Sequence, residues 1–280
     1  MAQSKHEIQS ILAGGGAEPR HRFGQNFMID QNLVRIVADA GMIDAGDLVV
    51  EVGPGTGTLT EELLARGAQV LAVEIDRDLA RILRERLAGN DQFQLIEGDA
   101  LAGKHALNPD LRARLAEAGN VSQRTKLVAN LPYNIASPLI IELLLARVDL
   151  LAFTVQKEVA ERLRAAADSD AYGPLSVVVQ LMAHVEVLRT LPPQAFWPAP
   201  KIDSALVRLA RDDRLGGEAG PFSRFVHQLF AARRKTLRKA LSQIVDDAPR
   251  VLESLQINGQ LRPEVLTPEQ LLQLFRAVQG

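Results

Sequence analysis

Short apolar runs alternate with amphipathic helical patterns along the first half of the sequence, and this alternation constrains the fold most strongly. Each run ends in a glycine or polar residues, and helical patterns such as T-L-T-E-E-L-L-A-R-G, closed by Gly67, lie between them. Strands and helices alternating at this spacing predict a parallel, doubly wound α/β sheet. The runs are D-L-V-V-E-V-G (47–53), Q-V-L-A-V-E-I-D (69–76), F-Q-L-I-E-G-D (93–99) and K-L-V-A-N (126–130).

The second half of the chain changes from strands to helices. Three further strands are predicted at A-F-T-V-Q (152–156), L-S-V-V-V-Q-L (175–181) and S-A-L-V-R-L (204–209). After Gly216 and Gly217 the pattern becomes purely helical, with apolar residues at helical spacing. We therefore expect a flexible lead, a main domain and a smaller helical domain, over residues 1–19, 20–214 and 215–280.

Composition excludes several classes of protein. The chain has no cysteine, which excludes disulfides, Cys-bearing metal sites and a cysteine nucleophile. The five histidines are scattered, so no metal site is predicted. No apolar run approaches the roughly 20 residues that span a bilayer, and the N-terminus M-A-Q-S-K-H-E-I has no apolar signal core. We expect a soluble, cytoplasmic protein.

A glycine loop joins the first strand to its helix in V-V-E-V-G-P-G-T-G-T-L-T, with glycines at positions 53, 55 and 57. Glycine lets the backbone approach a ligand closely. A nicotinamide-binding loop would place its third small residue at position 58, which is Thr58 here. The spacing therefore favours another nucleotide-like ligand, and S-adenosylmethionine, which has no pyrophosphate, does not require the dinucleotide spacing.

Polar residues end three successive strands of the predicted sheet. Glu74 ends the second strand, Asp99 follows the third and Asn130 ends the fourth, within K-L-V-A-N-L-P-Y. The carboxyl ends of parallel strands meet at the ligand-binding edge of such a sheet, and an acidic residue about 20 positions beyond the glycines can accept hydrogen bonds from ribose hydroxyls. Asp99 can accept a hydrogen bond from an adenine amine.

Together these motifs resemble those of the small-subunit rRNA adenine N6-dimethyltransferases (KsgA/RsmA type), which are linked to kasugamycin sensitivity. The resemblance extends from Arg20 to about Leu241, and the long segment 102–124 departs from it. It implies a Rossmann-like class I S-adenosylmethionine-dependent methyltransferase sheet with a smaller C-terminal helical domain. The motifs are E-x-G-x-G-x-G, G-D-A, N-L-P-Y, F-G-Q-N-F (23–27), Q-K-E-V-A-E-R-L (156–163), A-Y-G-P-L-S-V (171–177), F-W-P-A-P-K-I-D-S-A (196–205) and R-R-K-T-L-R (233–238).

The resemblance also implies which residues bind the cofactor, S-adenosylmethionine. Residues of F-G-Q-N-F and its neighbour close over the methionine end, the glycine loop contacts the cofactor through its backbone, and the strand-end acids bind ribose and adenine. Asn130 borders both the cofactor and the target base. The implied cofactor-binding residues are Gln25, Asn26, Met28, Gly53, Gly55, Glu74, Asp99 and Asn130.

N-L-P-Y has a chemical interpretation once the target is an adenine amine. That amine is a poor nucleophile because its lone pair is conjugated into the ring. The Asn130 side-chain oxygen and the Leu131 carbonyl, shaped by Pro132, can accept its two hydrogens as the nitrogen pyramidalises. Tyr133 can stack on the extruded purine, and Phe196 is expected to form the second wall. No general base is required.

A basic run in the C-terminal region predicts RNA contacts. Six basic residues and no acidic one lie between Pro221 and Val245. Helical spacing would place them on neighbouring ridges that face phosphates, although a solvated helix face is an alternative interpretation. The residues expected to bind RNA are Arg233, Arg234, Lys235, Arg238 and Lys239.

The predicted function is dimethylation of N6 on two adjacent adenosines in a hairpin near the 3′ end of 16S rRNA, with a role in small-subunit biogenesis. The expected partner is this rRNA in the small ribosomal subunit or its precursor, without a membrane or a stable protein partner. The alternatives are a 23S rRNA methyltransferase of the macrolide-resistance type, a mainly noncatalytic assembly factor and, more distantly, a nicotinamide oxidoreductase. The P-x-P-K-x-D-S context at 198–204 favours the small-subunit enzyme.

Overall fold

The structure is a computed structural model that describes residues 3–20, 23–103, 106–212 and 214–279. Contacts divide the chain into two compact units. The first unit comprises Met1–Ala160 and Glu186–Arg211, and the second comprises Glu161–Val185 and Asp212–Gly280. The C-terminal unit therefore also includes Glu161–Val185, which the sequence had assigned to the main domain.

The described residues form nine strands and twelve α-helices. The strands are β1 (Phe27–Met28), β2 (Leu48–Val52), β3 (Gln69–Glu74), β4 (Phe93–Glu97), β5 (Thr125–Asn130), β6 (Leu150–Gln156), β7 (Ala183–Leu191), β8 (Phe196–Trp197) and β9 (Ser204–Arg211). The helices are α1 (Lys5–Gly14), α2 (Gln31–Ala40), α3 (Thr58–Ala65), α4 (Arg77–Arg86), α5 (Pro109–Asn120), α6 (Ala136–Leu145), α7 (Lys157–Leu163), α8 (Pro174–Met182), α9 (Ala219–Ala231), α10 (Leu237–Leu241), α11 (Ala248–Ser254) and α12 (Pro268–Gln279). No helix in this part of the chain is both long and apolar enough to cross a membrane.

Seven strands form one sheet in the order β4-β3-β2-β5-β6-β9-β7. The pairs β2 with β3, β2 with β5, β3 with β4 and β5 with β6 are parallel. This arrangement brings the carboxyl ends of β2 to β6 to one edge, as the alternating pattern predicted. Strand β9 runs antiparallel to β6, from Leu150 opposite Ala210 to Gln156 opposite Ser204. The sequence had not predicted β1, β7 or β8.

The core of the first unit forms where α2 and α3 cover buried strands. Helix α2 begins after Asp30, whose carboxylate accepts the Asn32 and Leu33 N–H groups and so caps the helix. Its buried residues Val34 and Val37 belong to one apolar cluster with side chains from β2, β5 and β6. All five residues of β2 are buried, as expected for a parallel strand covered on both faces.

The predicted strand over residues 175–181 is wrong, because this segment is helix α8. Pro174 occupies the first turn, where its missing N–H is not needed, and the Ser176 hydroxyl accepts the Gly173 N–H at 3.1 Å. Helix α8 is almost wholly buried, so its sequence shows no helical period. A run rich in valine without a period was therefore misread as a strand.

The N-terminal lead is also ordered where the structure describes it. Ser4 and Glu7 form a capping box that starts α1, which was expected to be part of a flexible lead. Ile8 and Leu12 on this helix are buried in a cluster with Leu79 and Ile82 of α4. Apolar burial thus fixes the helix to the first unit.

Candidate active site

An open cavity lies at the carboxyl ends of β2 to β5 and contains about 930 Å³ of empty space, part of it continuous with solvent. This is the edge at which doubly wound sheets bind ligands. Its wall includes the glycine loop, the F-G-Q-N-F segment and the strand-end polar residues. Every residue predicted to bind the cofactor lines it: Gln25, Asn26, Met28, Gly53, Gly55, Glu74, Asp99 and Asn130.

The glycine loop adopts a backbone that only glycine accommodates without strain. The φ angles of Gly53, Gly55 and Gly57 are 72°, 63° and 87°. A Cβ atom on Gly55 would lie 2.9 Å from the Phe27 ring, and one on Gly53 would lie 3.2 Å from Pro132 Cγ. The loop therefore needs glycine both for its conformation and for the close approach of its neighbours.

Glu74 is a buried acid at the edge of this loop, with 4% of its surface exposed. Its carboxylate accepts the Gly55 N–H at 3.3 Å and the Asp76 N–H at 2.9 Å. Burial raises its pKa to about 7, aided by the charge of Asp76 and opposed by the backbone donors. The carboxyl group is thus held against the loop with acceptor atoms at the cavity wall.

Glu51 is a second buried acid at the cavity wall, and no role was predicted for it from the sequence. It is the fourth of the five residues of β2, and its carboxylate accepts the Thr60 hydroxyl at 2.6 Å. Burial raises its pKa to about 8, and the charge of Glu74 adds to this effect. A glutamate inside the apolar run V-V-E-V was the signal that could have identified it.

Gln25 lines the cavity, but its carboxamide is bonded to protein groups. Its oxygen accepts the Arg20 N–H at 2.7 Å, and its nitrogen donates to Asp76 at 3.0 Å. The Arg20 guanidinium also donates to Asp76, at 2.8 Å. Gln25 therefore fixes the F-G-Q-N-F segment to the start of α4 in this conformation.

The Asn130 carboxamide is held at both ends. Its nitrogen donates to the Asn26 carbonyl at 2.6 Å, and its oxygen accepts the Thr154 hydroxyl at 2.5 Å. The next residue, Leu131, is buried and donates its N–H to the Thr154 carbonyl at 3.2 Å. The start of N-L-P-Y is thus rigidly attached to β6 and to F-G-Q-N-F.

The two aromatic residues predicted to hold the target base have different environments. Tyr133 is half-buried, and its hydroxyl lies 2.8 Å from the Ser204 hydroxyl oxygen. Burial raises its pKa, and the Ser204 hydrogen bond opposes this shift. Phe196 is 2% exposed, pairs with Met28 between β8 and β1, and packs in the core. The expectation that Phe196 forms the second stacking wall is therefore not met, because its ring has no exposed face.

Asp99 is exposed where the chain leaves β4, and its carboxylate accepts the Leu101 N–H at 3.0 Å. The departing segment 102–124 is anchored here, because Asn108 donates to the Asp99 carbonyl at 3.0 Å and caps α5. Lys104 and His105 of that segment lie outside the described residues. Through Asn108, the segment thus holds the backbone of Asp99 in place.

Comparison with known proteins identifies the family. Residues 16–279 match the family described as ribosomal RNA adenine dimethylase. The chain belongs to this dimethylase family. A "Ribosomal RNA small subunit methyltransferase A" of Magnetococcus marinus is 45% identical over 273 residues, covering 95% of this chain and 94% of the relative. A protein of the same name from Hahella chejuensis is 42% identical, covering 90% and 89%.

Solved structures confirm the predicted fold class for this dimethylase. The 23S rRNA methyltransferase ErmE matches with a TM-score of 0.62 and 26% identity, covering 91% of this chain and all of that one. A dimethyladenosine transferase from Plasmodium falciparum matches with a TM-score of 0.71 and 24% identity, covering 88% and 94%. The family and the fold make S-adenosylmethionine the methyl donor.

The cavity residues of the dimethylase fit this cofactor. Glu74 and Asp99 supply acceptors for hydroxyl and amine groups, and Gly53 and Gly55 leave two positions of the loop without a side chain, where the backbone can approach a ligand closely. Thr58 begins α3 at the cavity wall, and its buried hydroxyl has no hydrogen-bond partner among the described residues. A buried hydroxyl without a protein partner is expected to meet a polar ligand group.

The basic run lies in the second unit of the dimethylase and is not one helix. Helix α9 ends at Ala231 and α10 begins at Leu237, with a turn between them. The helical ridges predicted for the run are therefore wrong: Thr236 is extended, and the Leu237 N–H pairs with the Leu261 carbonyl. All five predicted RNA-binding residues are nevertheless exposed and, within the described part of the chain, form no ion pair: Arg233, Arg234, Lys235, Arg238 and Lys239.

Proposed function

We propose that this dimethylase transfers two methyl groups to N6 of each of two adjacent adenosines in a hairpin near the 3′ end of 16S rRNA, within the small ribosomal subunit or its precursor. The observation that carries the proposal is the fixed Asn130 carboxamide beside the cofactor cavity. The small-subunit relatives, at 45% and 42% identity, support this substrate over 23S rRNA, for which the matched structure is 26% identical. The reaction belongs to small-subunit biogenesis in the cytoplasm.

In this proposal, each polar residue of the cavity wall binds a different part of the cofactor. Glu74 accepts the ribose hydroxyls, and Asp99 accepts the adenine amine. The backbone of the glycine loop lies against the methionine part, which Asn26 and Met28 cover from the other side. S-adenosylmethionine supplies the electrophilic sulfonium methyl group.

The target amine is oriented by two acceptors at the end of β5. The Asn130 side-chain oxygen and the Leu131 carbonyl accept its two hydrogens, which favours a pyramidal nitrogen whose lone pair points out of the ring plane. This preorganisation lowers the barrier without an added base, because the proton can leave after methyl transfer. Pro132 packs close to Gly53 and holds the acceptors beside the cofactor.

Tyr133 stacks on the extruded adenine, with its ring orientation fixed by the hydrogen bond to Ser204. The exposed basic residues of the second unit contact phosphates of the same rRNA. Neither step requires a stable protein partner.

The test is methyl transfer from labelled S-adenosylmethionine to undermethylated small subunits, followed by mapping of the modified nucleotides by mass spectrometry. We expect dimethyladenosine at two adjacent positions near the 3′ end of the rRNA. Label in large-subunit rRNA, supplied in a parallel reaction, would overturn the substrate assignment. Subunit binding without methyl transfer would instead identify an assembly factor.

Asn130→Ala tests the acceptor in the same assay. We expect turnover to fall by two or more orders of magnitude, with cofactor affinity within about tenfold of wild type, because the lost acceptor acts on the reacting nitrogen. Asn32→Ala removes an exposed carboxamide of the same unit and should leave turnover unchanged. Near-normal turnover of the Asn130 variant would refute the acceptor role.

A further inference from the structure

Thr154 contacts both residues that supply the proposed acceptors. It lies opposite Asn130 in the parallel pair of β5 and β6. Its hydroxyl donates to the Asn130 side-chain oxygen at 2.5 Å, and its carbonyl accepts the Leu131 N–H at 3.2 Å. Thr154 therefore fixes the Asn130 side chain, whose oxygen is the first proposed acceptor. It also fixes the N–H of Leu131, whose carbonyl is the second proposed acceptor.

Thr154 lies at a fully buried strand position, where packing alone does not require a hydroxyl. Thr154 has no exposed surface, and its neighbours Phe153 and Val155 are equally buried. A buried hydroxyl is costly unless it forms a hydrogen bond, so an apolar residue would suit an ordinary strand position better. The hydrogen bond that compensates for this burial is made to Asn130.

The two bonds to Asn130 together specify which way its carboxamide faces. The Asn26 carbonyl can only accept, so it selects the amide nitrogen and excludes the flipped arrangement. The Thr154 hydroxyl then fixes the oxygen on the opposite side. A carboxamide oxygen has two lone pairs, so one remains for the target amine after Thr154 has donated.

We propose that Thr154 is a positioning residue for methyl transfer, which acts by holding the Asn130 oxygen where the target amine needs it. This inference rests on the acceptor role of Asn130 in the proposed function. Without the hydroxyl, the carboxamide keeps its bond to Asn26 but gains rotational freedom. Misplacing a reacting group by about 1 Å can cost on the order of a hundredfold in rate. We therefore expect a loss of roughly ten- to a hundredfold in kcat.

The experiment compares Thr154→Val, which replaces the hydroxyl by a methyl group of similar size, with Thr154→Ser, which keeps it. Steady-state turnover on undermethylated small subunits is measured together with cofactor affinity by calorimetry and with the midpoint of thermal unfolding. The valine variant should lose at least about tenfold in kcat, with cofactor Kd and subunit KM within about threefold of wild type. The serine variant should recover kcat to within about threefold of wild type.

Thr125→Val is the matched control. Thr125 begins β5, and its hydroxyl bonds to Asp149 at 3.3 Å, at the opposite end of the same strand pair. The same chemical change there should leave kcat unchanged. A similar kcat loss in this control would show that the effect acts through strand stability, and a serine variant that does not recover would show that the hydroxyl is not the group that matters. Either result would overturn the proposal.

A double variant separates this inference from the proposed function. Since Thr154 acts through Asn130, adding Thr154→Val to Asn130→Ala should cause no further loss of kcat. Wild-type turnover in Thr154→Val, with an inactive Asn130→Ala, would overturn the role of Thr154 and leave the proposed function intact. Normal turnover in Asn130→Ala would instead refute the proposed acceptor itself.

Discussion

The buried carboxyl group of Glu51 should make the stability of this dimethylase fall as the pH rises. Glu51 is 2% exposed at the cavity wall, and burial raises its pKa from 4.5 to about 8. The folded state therefore holds this proton more tightly than the unfolded state. The stabilisation from the bound proton is fully present below pH 4.5 and is lost as the pH rises towards 8.

The magnitude follows from the two pKa values. At 1.36 kcal/mol per pH unit, the interval from 4.5 to about 8 corresponds to roughly 5 kcal/mol. Water in the adjacent cavity screens part of the charge, so we expect roughly 2–4 kcal/mol. Glu51→Gln removes this dependence, because the amide is neutral at every pH and its oxygen can still accept the Thr60 hydroxyl.

The assay is urea unfolding of wild type and Glu51→Gln between pH 5 and pH 8. The free energy of unfolding of Glu51→Gln minus that of wild type should increase by roughly 2–4 kcal/mol between pH 5 and pH 8. Glu18→Gln, which changes an exposed carboxylate, should show no such trend. A difference between Glu51→Gln and wild type that stays constant with pH would refute the buried-proton argument.

Three further perturbations test the cofactor and RNA contacts. Asp99→Ala should weaken cofactor binding measured by calorimetry, since it removes the acceptor proposed for the cofactor adenine; unchanged affinity would leave Asp99 a structural role only. Gln3→Ala should weaken cofactor binding about three- to tenfold, because buried Gln3 bonds twice to Thr56 in the glycine loop, at 2.7 and 3.2 Å. Reversing Arg234, Lys235 and Arg238 to Glu should reduce subunit binding and flatten its salt dependence by roughly 0.7 to 0.9 in log–log slope per lost phosphate contact.

Matched changes separate these effects from general destabilisation. Gln243→Ala alters an exposed glutamine and should not change the cofactor affinity. Arg250→Glu reverses an exposed charge of the second unit outside the basic run and should keep the wild-type salt slope. The triple variant should still bind the cofactor, because the cavity lies entirely in the first unit. If that variant keeps wild-type subunit affinity and salt slope, the basic run only faces solvent and does not bind RNA.

Sheet geometry explains why much of the cavity wall was predictable from the sequence. In a parallel sheet the carboxyl ends of adjacent strands converge, so the ends of β3, β4 and β5 identify Glu74, Asp99 and Asn130 as neighbours of one cavity. The glycines at alternate positions likewise indicated a backbone that can approach a ligand closely, and Gly53 and Gly55 line the cavity with positive φ angles. These features depend on strand direction and backbone conformation, which local sequence encodes.

Features that depend on tertiary packing were not predictable in the same way. Phe196 has the same chemistry whether it stacks on a base or fills the core, and only the pairing of β8 with β1 decides between them. The run 175–181 is buried on nearly all sides, so neither helical nor strand period is visible. Helix α1 was missed although its capping box, from Ser4 to Glu7, is a local signal that could have revealed it.

The structure also explains why N-L-P-Y combines an amide, a rigid kink and an aromatic ring. The amide of Asn130 is fixed by partners from two other segments, and buried Leu131 anchors the backbone that follows. Pro132 then packs so close to Gly53 that a methyl group there would crowd it. Because Tyr133 is bonded to Ser204, the aromatic ring is also fixed. The distance between the glycine loop and N-L-P-Y is therefore set by packed, hydrogen-bonded contacts, as the proposed attack of a weakly nucleophilic amine on a methyl group requires.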